Sequence, residues 1–253
     1  MKKTRIISLC NLKGGVGKST GVVNLAGALA ESGKKVLVVD MDPQANASTF
    51  LGIQGEGRTI SEVMRGDLVI NDVMRERSKN LWVIPSSRAL DETQQVLAAT
   101  PGRELILRDE MSGVEGFDYI LIDCAPRLDL LLVNVLSYVS EVFLAVQTEP
   151  AALEGVASIL DTLKKVQKRL NAEVSVTGVI CMMYDARVNL HRDVVAEIQA
   201  AFGPKLFKTM VPRRIAFAEA GSHGKTISEY APKGAEREVY VSLAKEVMKG
   251  GKR

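Results

Sequence analysis

Residues 11–20 read NLKGGVGKST, and this stretch decides the fold. A short apolar run, RIISLC, precedes it, and apolar side chains at helical spacing follow it. A strand, a glycine-rich loop and a helix in that order form a phosphate-binding P-loop. The usual P-loop pattern has glycine where this chain has Leu12, and a second lysine, Lys13, comes next. The stretch therefore predicts a phosphate loop of a deviant type.

The chemistry expected of this loop follows from its residue types. Glycines at 14, 15 and 17 let backbone N–H groups turn inward around phosphate oxygens, and the helix N-terminus adds partial positive charge. Lys18 is placed to reach the β- and γ-phosphates, and the Ser19 hydroxyl is placed to ligate Mg²⁺. The predicted nucleotide-binding residues of the loop are Lys13, Gly14, Gly15, Val16, Gly17, Lys18, Ser19 and Thr20.

The rest of the chain alternates short apolar runs with helical patterns. The runs are rich in Val, Ile and Leu and do not alternate with polar residues, which is typical of parallel strands covered on both faces. They read RIISLC, KVLVVD, LWVIP, YILID, EVFLAV, VSVTGVI and LFKTMV. Helices are predicted over 19–32, 151–170, 190–202 and 236–248, and short helices and loops over 52–80. The pattern predicts an α/β fold with a doubly wound, mostly parallel sheet and helices on both faces.

Composition narrows the class of protein. The chain has 253 residues, of which 46% are hydrophobic and 25% charged, which suits one domain over residues 1–253. No apolar run approaches the ~18 residues that span a bilayer. The three cysteines are isolated, so we expect a reducing, cytoplasmic setting. Residues 1–160 carry a net charge of −4 and residues 161–253 carry +7, which hints at a polyanion-binding face.

Acidic residues stand where strands end, and ligands of such folds bind at that edge of the sheet. Asp40 and Asp42 flank one residue in VVDMDPQ, and alternation points both side chains to the same side. Asp123 ends the run DYILID, which is the Walker B arrangement. Such an aspartate holds Mg²⁺ directly or through a water. The predicted metal-site residues are Ser19, Asp40 and Asp123.

These motifs together resemble those of the ParA/Soj family of DNA-partitioning ATPases, a group related to MinD and the nitrogenase iron protein. The resemblance covers nearly the whole chain. Its motifs here are KGGVGKST, DMDPQAN, DYILIDCAP, AVQTEPAALEG, MMYDARVNL and VPRRIAFAEAGSHGKTI. It implies a P-loop NTPase fold of the deviant Walker A type, hydrolysis of ATP with Mg²⁺, and a sandwich dimer in the ATP-bound state.

The resemblance also assigns roles within the site. Lys13 matches the signature lysine that reaches phosphate in the opposite subunit, in the manner of an arginine finger supplied in trans. Asp42 matches the water-activating aspartate, and Asp40 lies close to metal and water. With Lys18, these residues form the predicted catalytic set. Adenine contacts are expected near Met183 and Pro212.

Non-specific binding of duplex DNA is implied by the same resemblance, although this chain departs from the pattern. Arg187 matches one DNA-binding arginine, whereas Ala216 stands at the position of the other. The predicted DNA-binding residues are Arg187, Arg213, Arg214, Lys205 and Lys208. A second departure is Arg127, which follows Ala125 and Pro126 where many relatives read PPS; a cation there could alter the loop or contact a partner subunit.

The family implies a partner and a location. A ParB-like adaptor would stimulate slow hydrolysis, and the ATP-bound homodimer would associate with the nucleoid. The alternative is a MinD-like ATPase that positions a protein assembly at a membrane or the nucleoid. A membrane anchor is not expected, because the C-terminal stripe of Tyr240, Leu243, Val247 and Met248 is narrow and predicted to dock on the sheet. A nucleotide-binding chain without hydrolysis remains open if Arg127 disturbs the site.

Overall fold

The computed structural model describes residues 3–55, 57–150 and 152–250, apart from the side chain of Glu154. The strands, β1 to β8 in chain order, are Arg5–Cys10, Val36–Met41, Arg75–Ser78, Leu81–Ile84, Tyr119–Cys124, Glu141–Gln147, Ser175–Tyr184 and Val211–Pro212. They form one sheet in the order β3-β4-β2-β5-β1-β6-β7-β8. The pairing of β3 with β4 is antiparallel, and the other neighbouring strands pair in parallel.

Helices connect these strands. In the described residues they are, from α1 to α12, Lys18–Glu31, Asn46–Phe50, Ile60–Arg65, Ile70–Val73, Ala89–Leu97, Ile106–Glu110, Leu130–Tyr138, Glu154–Arg169, Asn189–Phe202, Ile215–Ser222, Ile227–Tyr230 and Ala235–Gly250. A short 3₁₀ turn covers Gly203–Lys205. The expected doubly wound, mostly parallel fold is therefore confirmed.

The sheet is covered on both faces, which explains why its central strands do not alternate in polarity. Every residue of β2 and of β5 is buried. Alternate side chains enter two separate cores: Leu37 and Val39 pack in one, and Val36 and Val38 in the other. Burial of both faces stabilises the continuous apolar runs that a one-sided sheet would leave half in water.

Two strand predictions are corrected by the structure. The run LFKTMV forms a strand only at Val211–Pro212, and Leu206 contributes an isolated bridge to Val179. Residues 52–80 contain short helices as expected, but Arg75–Ser78 adds an antiparallel edge strand. Three of its four residues are charged and none is buried or apolar, so the apolar pattern gave no signal. Edge strands carry charge because it opposes pairing with another chain.

The helix predictions hold within one to three residues, except that residue 151 lies outside the described part of the chain. Helices α2, α5 to α7, α10 and α11 had no corresponding prediction. The C-terminal helix α12 packs on α1 with Tyr240, Leu243, Ala244 and Val247 buried. The backbone carbonyl of Val247 accepts a hydrogen bond from Arg5 on β1. This docking places the apolar stripe of α12 inside the protein.

Candidate nucleotide-binding site

The glycine-rich loop follows β1 in the middle of the sheet and needs glycine at two positions. Gly15 has φ 74° and Gly17 has φ 91°, both in the left-handed region that L side chains avoid. A Cβ at Gly17 would lie 3.0 Å from the Cε atom of Met182, so space is short as well. Gly17 is also the residue before the first turn of α1, where the backbone N–H groups are free to bind an anion.

Asn11 anchors the start of the loop, and sequence reasoning missed it. Its Nδ2 donates to the backbone carbonyl of Ala145 on β6 at 2.6 Å, and its Oδ1 accepts from the backbone N–H of Lys13 at 2.8 Å. The side chain is buried. A buried amide with partners on both sides of a loop entrance fixes the path of the backbone, and its position directly after a buried strand was the available signal.

The two lysines of the loop have different surroundings. Lys18 is buried, and its ammonium group lies 3.4 Å from the carbonyl oxygen of Lys13. Lys13 points outward, where its Nζ lies 2.6 Å from Glu149 Oε2 and its side chain is 54% exposed. One cation thus lies within the loop, and the other is available at the surface beside it.

Asp40 is buried at the end of β2 and is fully engaged. Its Oδ2 accepts from the backbone N–H of Ser48 at 2.8 Å and from the Ser48 hydroxyl at 2.7 Å, and its Oδ1 accepts from the N–H of Asp42 at 3.1 Å. Burial raises the pKa of Asp40 to about 6 although these hydrogen bonds oppose the rise. Asp42 is also buried and accepts from the backbone N–H of Gln44 at 2.9 Å.

Asp123 stands opposite Asp40 in the pairing of β5 with β2 and is fully buried. Within the described residues, neither of its carboxylate oxygens has a hydrogen-bond partner. Burial, followed by the charge of Asp40, raises its pKa well above the ordinary range, and the nearby Ser19 hydroxyl and Lys18 partly oppose this. A buried carboxylate with free lone pairs is costly unless a cation binds there.

These residues fit a magnesium ion bound together with phosphate. Asp123 and Ser19 supply oxygen ligands side by side, and Mg²⁺ keeps waters and phosphate oxygens for its remaining positions. Both carboxylate oxygens of Asp40 accept hydrogen bonds from Ser48 or Asp42. Asp40 is therefore better suited to contact a metal ion through a water than to ligate it directly. No cluster of three or more His, Cys, Asp or Glu side chains arranged to hold a metal occurs among the described residues.

A cavity of about 340 Å³ opens above the loop. Met183, one of the two expected adenine contacts, lines it, whereas Pro212 does not. Sequence reasoning missed several wall residues, because they come from segments far apart in the chain. The lining residues outside the predicted set are Gln44, Asn46, Phe50 and Pro126. A second cavity, of about 430 Å³, lies at the other end of α1 and includes no residue of the glycine-rich loop.

The predicted DNA-binding residues fall into two groups. Arg187 follows β7, and Arg213 and Arg214 follow β8, so these three stand at the same edge of the sheet, because Tyr184 pairs with Pro212. All three are exposed, and Arg187 carries a bidentate contact to Asp185. Lys205 and Lys208 are exposed as well but precede β8, towards its opposite end. The structure therefore brings together the arginines and not the two lysines.

The structure also shows the surroundings of Ala216 and Arg127, the two departures from the family pattern. Ala216 is half-buried in the first turn of α10, and Ile215 beside it is 78% exposed. Arg127 does not enter the cavity as a free cation. Its Nη2 lies 2.7 Å from Asp91 Oδ1, and its Nε lies 3.4 Å from Asp129 Oδ2.

Comparisons with known proteins show the family of this chain. A family model described as an AAA domain matches residues 4–176. The sporulation initiation inhibitor protein Soj of Bacillus subtilis (strain 168) is 41% identical over 98% of this chain and 99% of its own length. The chromosome-partitioning ATPase Soj of Treponema pallidum (strain Nichols) is 42% identical over 94% of each chain. This chain belongs to the Soj/ParA family of chromosome-partitioning ATPases.

A solved structure supports the same family fold. It is described as cobyrinic acid a,c-diamide synthase from Mycobacterium smegmatis with a bound ATP analogue and magnesium. Its TM-score is 0.88 at 27% sequence identity, with 99% of this chain and 96% of that chain covered. The resemblance drawn from the motifs is thus confirmed, and the P-loop NTPase fold with it.

Proposed function

We propose that this chain is a single-domain partitioning ATPase that binds ATP and Mg²⁺ and, as an ATP-bound dimer, binds duplex DNA without sequence preference. The observation that carries the nucleotide chemistry is the buried Asp123 carboxylate, whose oxygens are free beside Ser19 and Lys18 beneath the glycine-rich loop. Such an arrangement is unfavourable by itself and becomes favourable with a metal-bound phosphate. The relatives named partitioning ATPases support the reaction class.

Different residues of the site would bind the phosphates, the metal ion and the nucleoside. The backbone N–H groups of Gly14–Thr20 hold phosphate oxygens, and Lys18 neutralises the β- and γ-phosphates. Ser19 and Asp123 would hold Mg²⁺, which offsets the charge that develops on the phosphate oxygens during hydrolysis. Met183 would contact the nucleoside from the cavity wall.

The two aspartates after β2 would act on the attacking water. Asp42 lines the cavity and is assigned to orient that water. Asp40 is held by Ser48, so it fixes the turn that carries Asp42. Asp40 also adds negative charge next to Asp123, which increases the attraction of the floor of the site for a cation.

Lys13 would complete the site of a second copy of the chain. In the described structure its side chain is exposed and its ammonium group contacts Glu149, and exposed pairs of this kind contribute little and release easily. A positive charge supplied across a dimer interface to a reacting phosphate is worth about 10³–10⁵ in rate. ATP binding would therefore build the dimer, and hydrolysis would release it.

The test replaces Lys13 by alanine. Because Lys18 still serves the chain's own nucleotide, Lys13→Ala should retain ATP binding but lose ATP-dependent dimerisation, and phosphate release should fall about 10³-fold or below detection. Light scattering after size-exclusion chromatography measures the dimer, and a phosphate-release assay measures hydrolysis. Lys3→Ala is the matched control, since it removes another exposed lysine–glutamate pair, Lys3–Glu173. Survival of both properties in Lys13→Ala would refute the trans role.

DNA binding and the adaptor belong to the same proposal. The exposed arginines after β7 and β8 suit contacts with the phosphate backbone, which need cations and no reading of bases. A ParB-like adaptor would stimulate hydrolysis and so release the DNA, and the ATP-bound form would associate with the nucleoid. Phosphate release measured with DNA and a ParB-like protein, together and separately, tests both parts.

The membrane alternative finds less support. The apolar stripe of α12 is buried against α1, so it offers no free amphipathic face in the described residues. No helix in the described part of the chain has the length and apolar character needed to cross a membrane. Pelleting with anionic liposomes and ATP separates the alternatives: sedimentation with liposomes but not with DNA would favour a MinD-like ATPase.

A further inference from the structure

Arg127, in the loop after β5, contacts one acidic side chain from outside that loop and a second at the end of the loop itself. The loop covers residues 125–129, and Pro126 within it lines the cavity above the glycine-rich loop. On one side Arg127 contacts Asp91 at 2.7 Å, and on the other it contacts Asp129 at 3.4 Å. Its side chain is half-exposed and does not line the cavity, although the neighbouring Pro126 does.

Both acidic partners stand at the beginning of a helix. Asp91 is in the first turn of α5. Asp129 is the N-cap of α7, where its Oδ1 accepts from the backbone N–H of Leu132 at 3.1 Å. Its Oδ2 is buried without a hydrogen-bond partner in the described residues, and Arg127 supplies the nearby positive charge. Arg127 therefore links the starts of two helices across the loop that carries Pro126.

The α5 side of this link is itself anchored to the floor of the site. Ser86, three residues before α5, donates its backbone N–H to the Ser48 hydroxyl at 3.0 Å. Ser48 in turn donates to Asp40 at the end of β2. A chain of contacts therefore runs from Asp40 through Ser48 to the segment before α5, and from Asp91 to Arg127.

We propose that Arg127 is a positioning residue for nucleotide binding, which holds the 125–129 loop against α5 and so keeps Pro126 in the wall of the cavity. This inference rests on the proposed ATPase function, because it concerns the same cavity. Arg127 does not touch the reacting atoms; it acts through the backbone of its neighbour Pro126. Fixing the loop before the ligand arrives lowers the ordering cost of binding, and this affects affinity more than the chemical step.

The expected size of the effect is modest. Half-exposed ion pairs contribute little because water and salt screen them, and the upper end of their measured range corresponds to about a fivefold change in an equilibrium constant. Arg127→Ser should therefore raise both the Kd for a fluorescent ATP analogue and the KM for ATP about two- to fivefold. The kcat should stay within about twofold of the wild-type value, because no group near the reacting phosphate is removed.

A double-mutant cycle with Asp91 makes the test specific. Asp91→Asn should raise the Kd by a similar factor, and the Arg127→Ser, Asp91→Asn double variant should be no weaker than Arg127→Ser alone, since both remove one link. Arg127→Lys keeps one charged contact and should recover part of the affinity. The matched control is Arg108→Ser, which removes an exposed arginine paired with Asp109 on α6.

Hydrogen exchange on the nucleotide-free chain gives a second readout. The N–H of Leu132 depends on the Asp129 cap, so its exchange should be faster in Arg127→Ser and unchanged in Arg108→Ser. The inference is overturned if the Kd and KM of Arg127→Ser equal those of Arg108→Ser, or if only kcat changes. Failure of the wild-type chain to bind ATP would instead overturn the proposed function.

Discussion

Two charged regions share the carboxyl edge of this sheet and differ in almost every physical respect. The acidic floor, formed by Asp40 and Asp123, is completely buried at the ends of β2 and β5. The basic rim, formed by Arg187, Arg213 and Arg214, follows β7 and β8 and is exposed. The side chain of Arg187, for instance, is 87% accessible to solvent.

Burial decides how each region can work. The carboxylates of the floor have raised pKa values because burial disfavours their charged forms, so they store an unfavourable energy that a cation relieves. The cations of the rim are surrounded by water and screened by salt. Each would therefore contribute weakly to the proposed binding of DNA, and several would have to act together. One substitution in the floor should therefore remove most of the hydrolysis activity, whereas each substitution in the rim should weaken DNA binding only in part.

The largest effect is expected for Asp123→Asn. Losing this carboxylate removes a proposed Mg²⁺ ligand, and phosphate release should fall about 10²-fold or more. The same change should raise the melting temperature of the nucleotide-free chain at pH 8, because burial disfavours the ionised form of this carboxyl group and an amide has no such cost; a chain of this size gains about 2–4 °C for each kcal/mol. Differential scanning fluorimetry and a phosphate-release assay measure the two effects.

The matched control for that prediction is Asp109→Asn, an exposed carboxylate on α6. It should change neither the melting temperature nor hydrolysis. If Asp123→Asn lowers the melting temperature at pH 8, burial of this carboxyl group does not destabilise the nucleotide-free chain. The proposed difference between the acidic floor and the basic rim would then be wrong.

An intermediate effect is expected at the rim. Arg187→Glu should strongly weaken retention of duplex DNA at moderate salt and leave ATP binding intact, since it reverses one charge of the rim and Arg187 does not line the cavity. Arg187→Ala should lower the slope of log affinity against log salt by about 1 for each protomer, and so by about 2 for the proposed dimer, as expected for one lost phosphate contact in each copy. Lys205→Glu should weaken retention less, because Lys205 lies towards the opposite end of β8. Unchanged retention of DNA by Arg187→Glu would show that Arg187 does not contribute to DNA binding.

The smallest effect concerns pH. The pKa of Asp40 is about 6 in the folded chain against an ordinary value of 3.8. A raised folded pKa means that its contribution to stability is fully present below pH 3.8 and is lost as pH rises through about 6. Between pH 5 and 7.5 the free energy of unfolding should fall by about 1–1.5 kcal/mol more in the wild type than in Asp40→Asn.

Urea unfolding of the nucleotide-free chain at several pH values measures this difference. Asp123 is present in both proteins, but its pKa responds to the charge of Asp40, so the difference between the two profiles reports Asp40 together with its coupling to Asp123. A wild-type profile parallel to that of Asp40→Asn would show that the hydrogen bonds from Ser48 and Asp42 offset the burial of Asp40.

Prediction from sequence succeeded where the signal was local. The glycine-rich loop, its two lysines and the aspartates at strand ends are each marked by neighbouring residues, and the parallel sheet by continuous apolar runs. Prediction failed at Arg75–Ser78, a charged edge strand, and over most of LFKTMV, whose apolar residues pack without extended pairing. Gln44 and Phe50 were missed because nothing in their neighbours distinguishes them, whereas Asn11 was missed although it directly follows the buried strand β1.

The sequence by itself determined the order of strand, loop and helix, the departure at Leu12 and Lys13, and the placement of acidic residues at strand ends, because backbone preferences and periodicity act over a few residues. Only the tertiary structure decided that Asp123 faces Asp40, that Arg127 joins Asp91 to Asp129, and that Lys205 and Lys208 stand apart from the rim. These relations depend on the order of strands in the sheet, which is set by packing between segments distant in the chain.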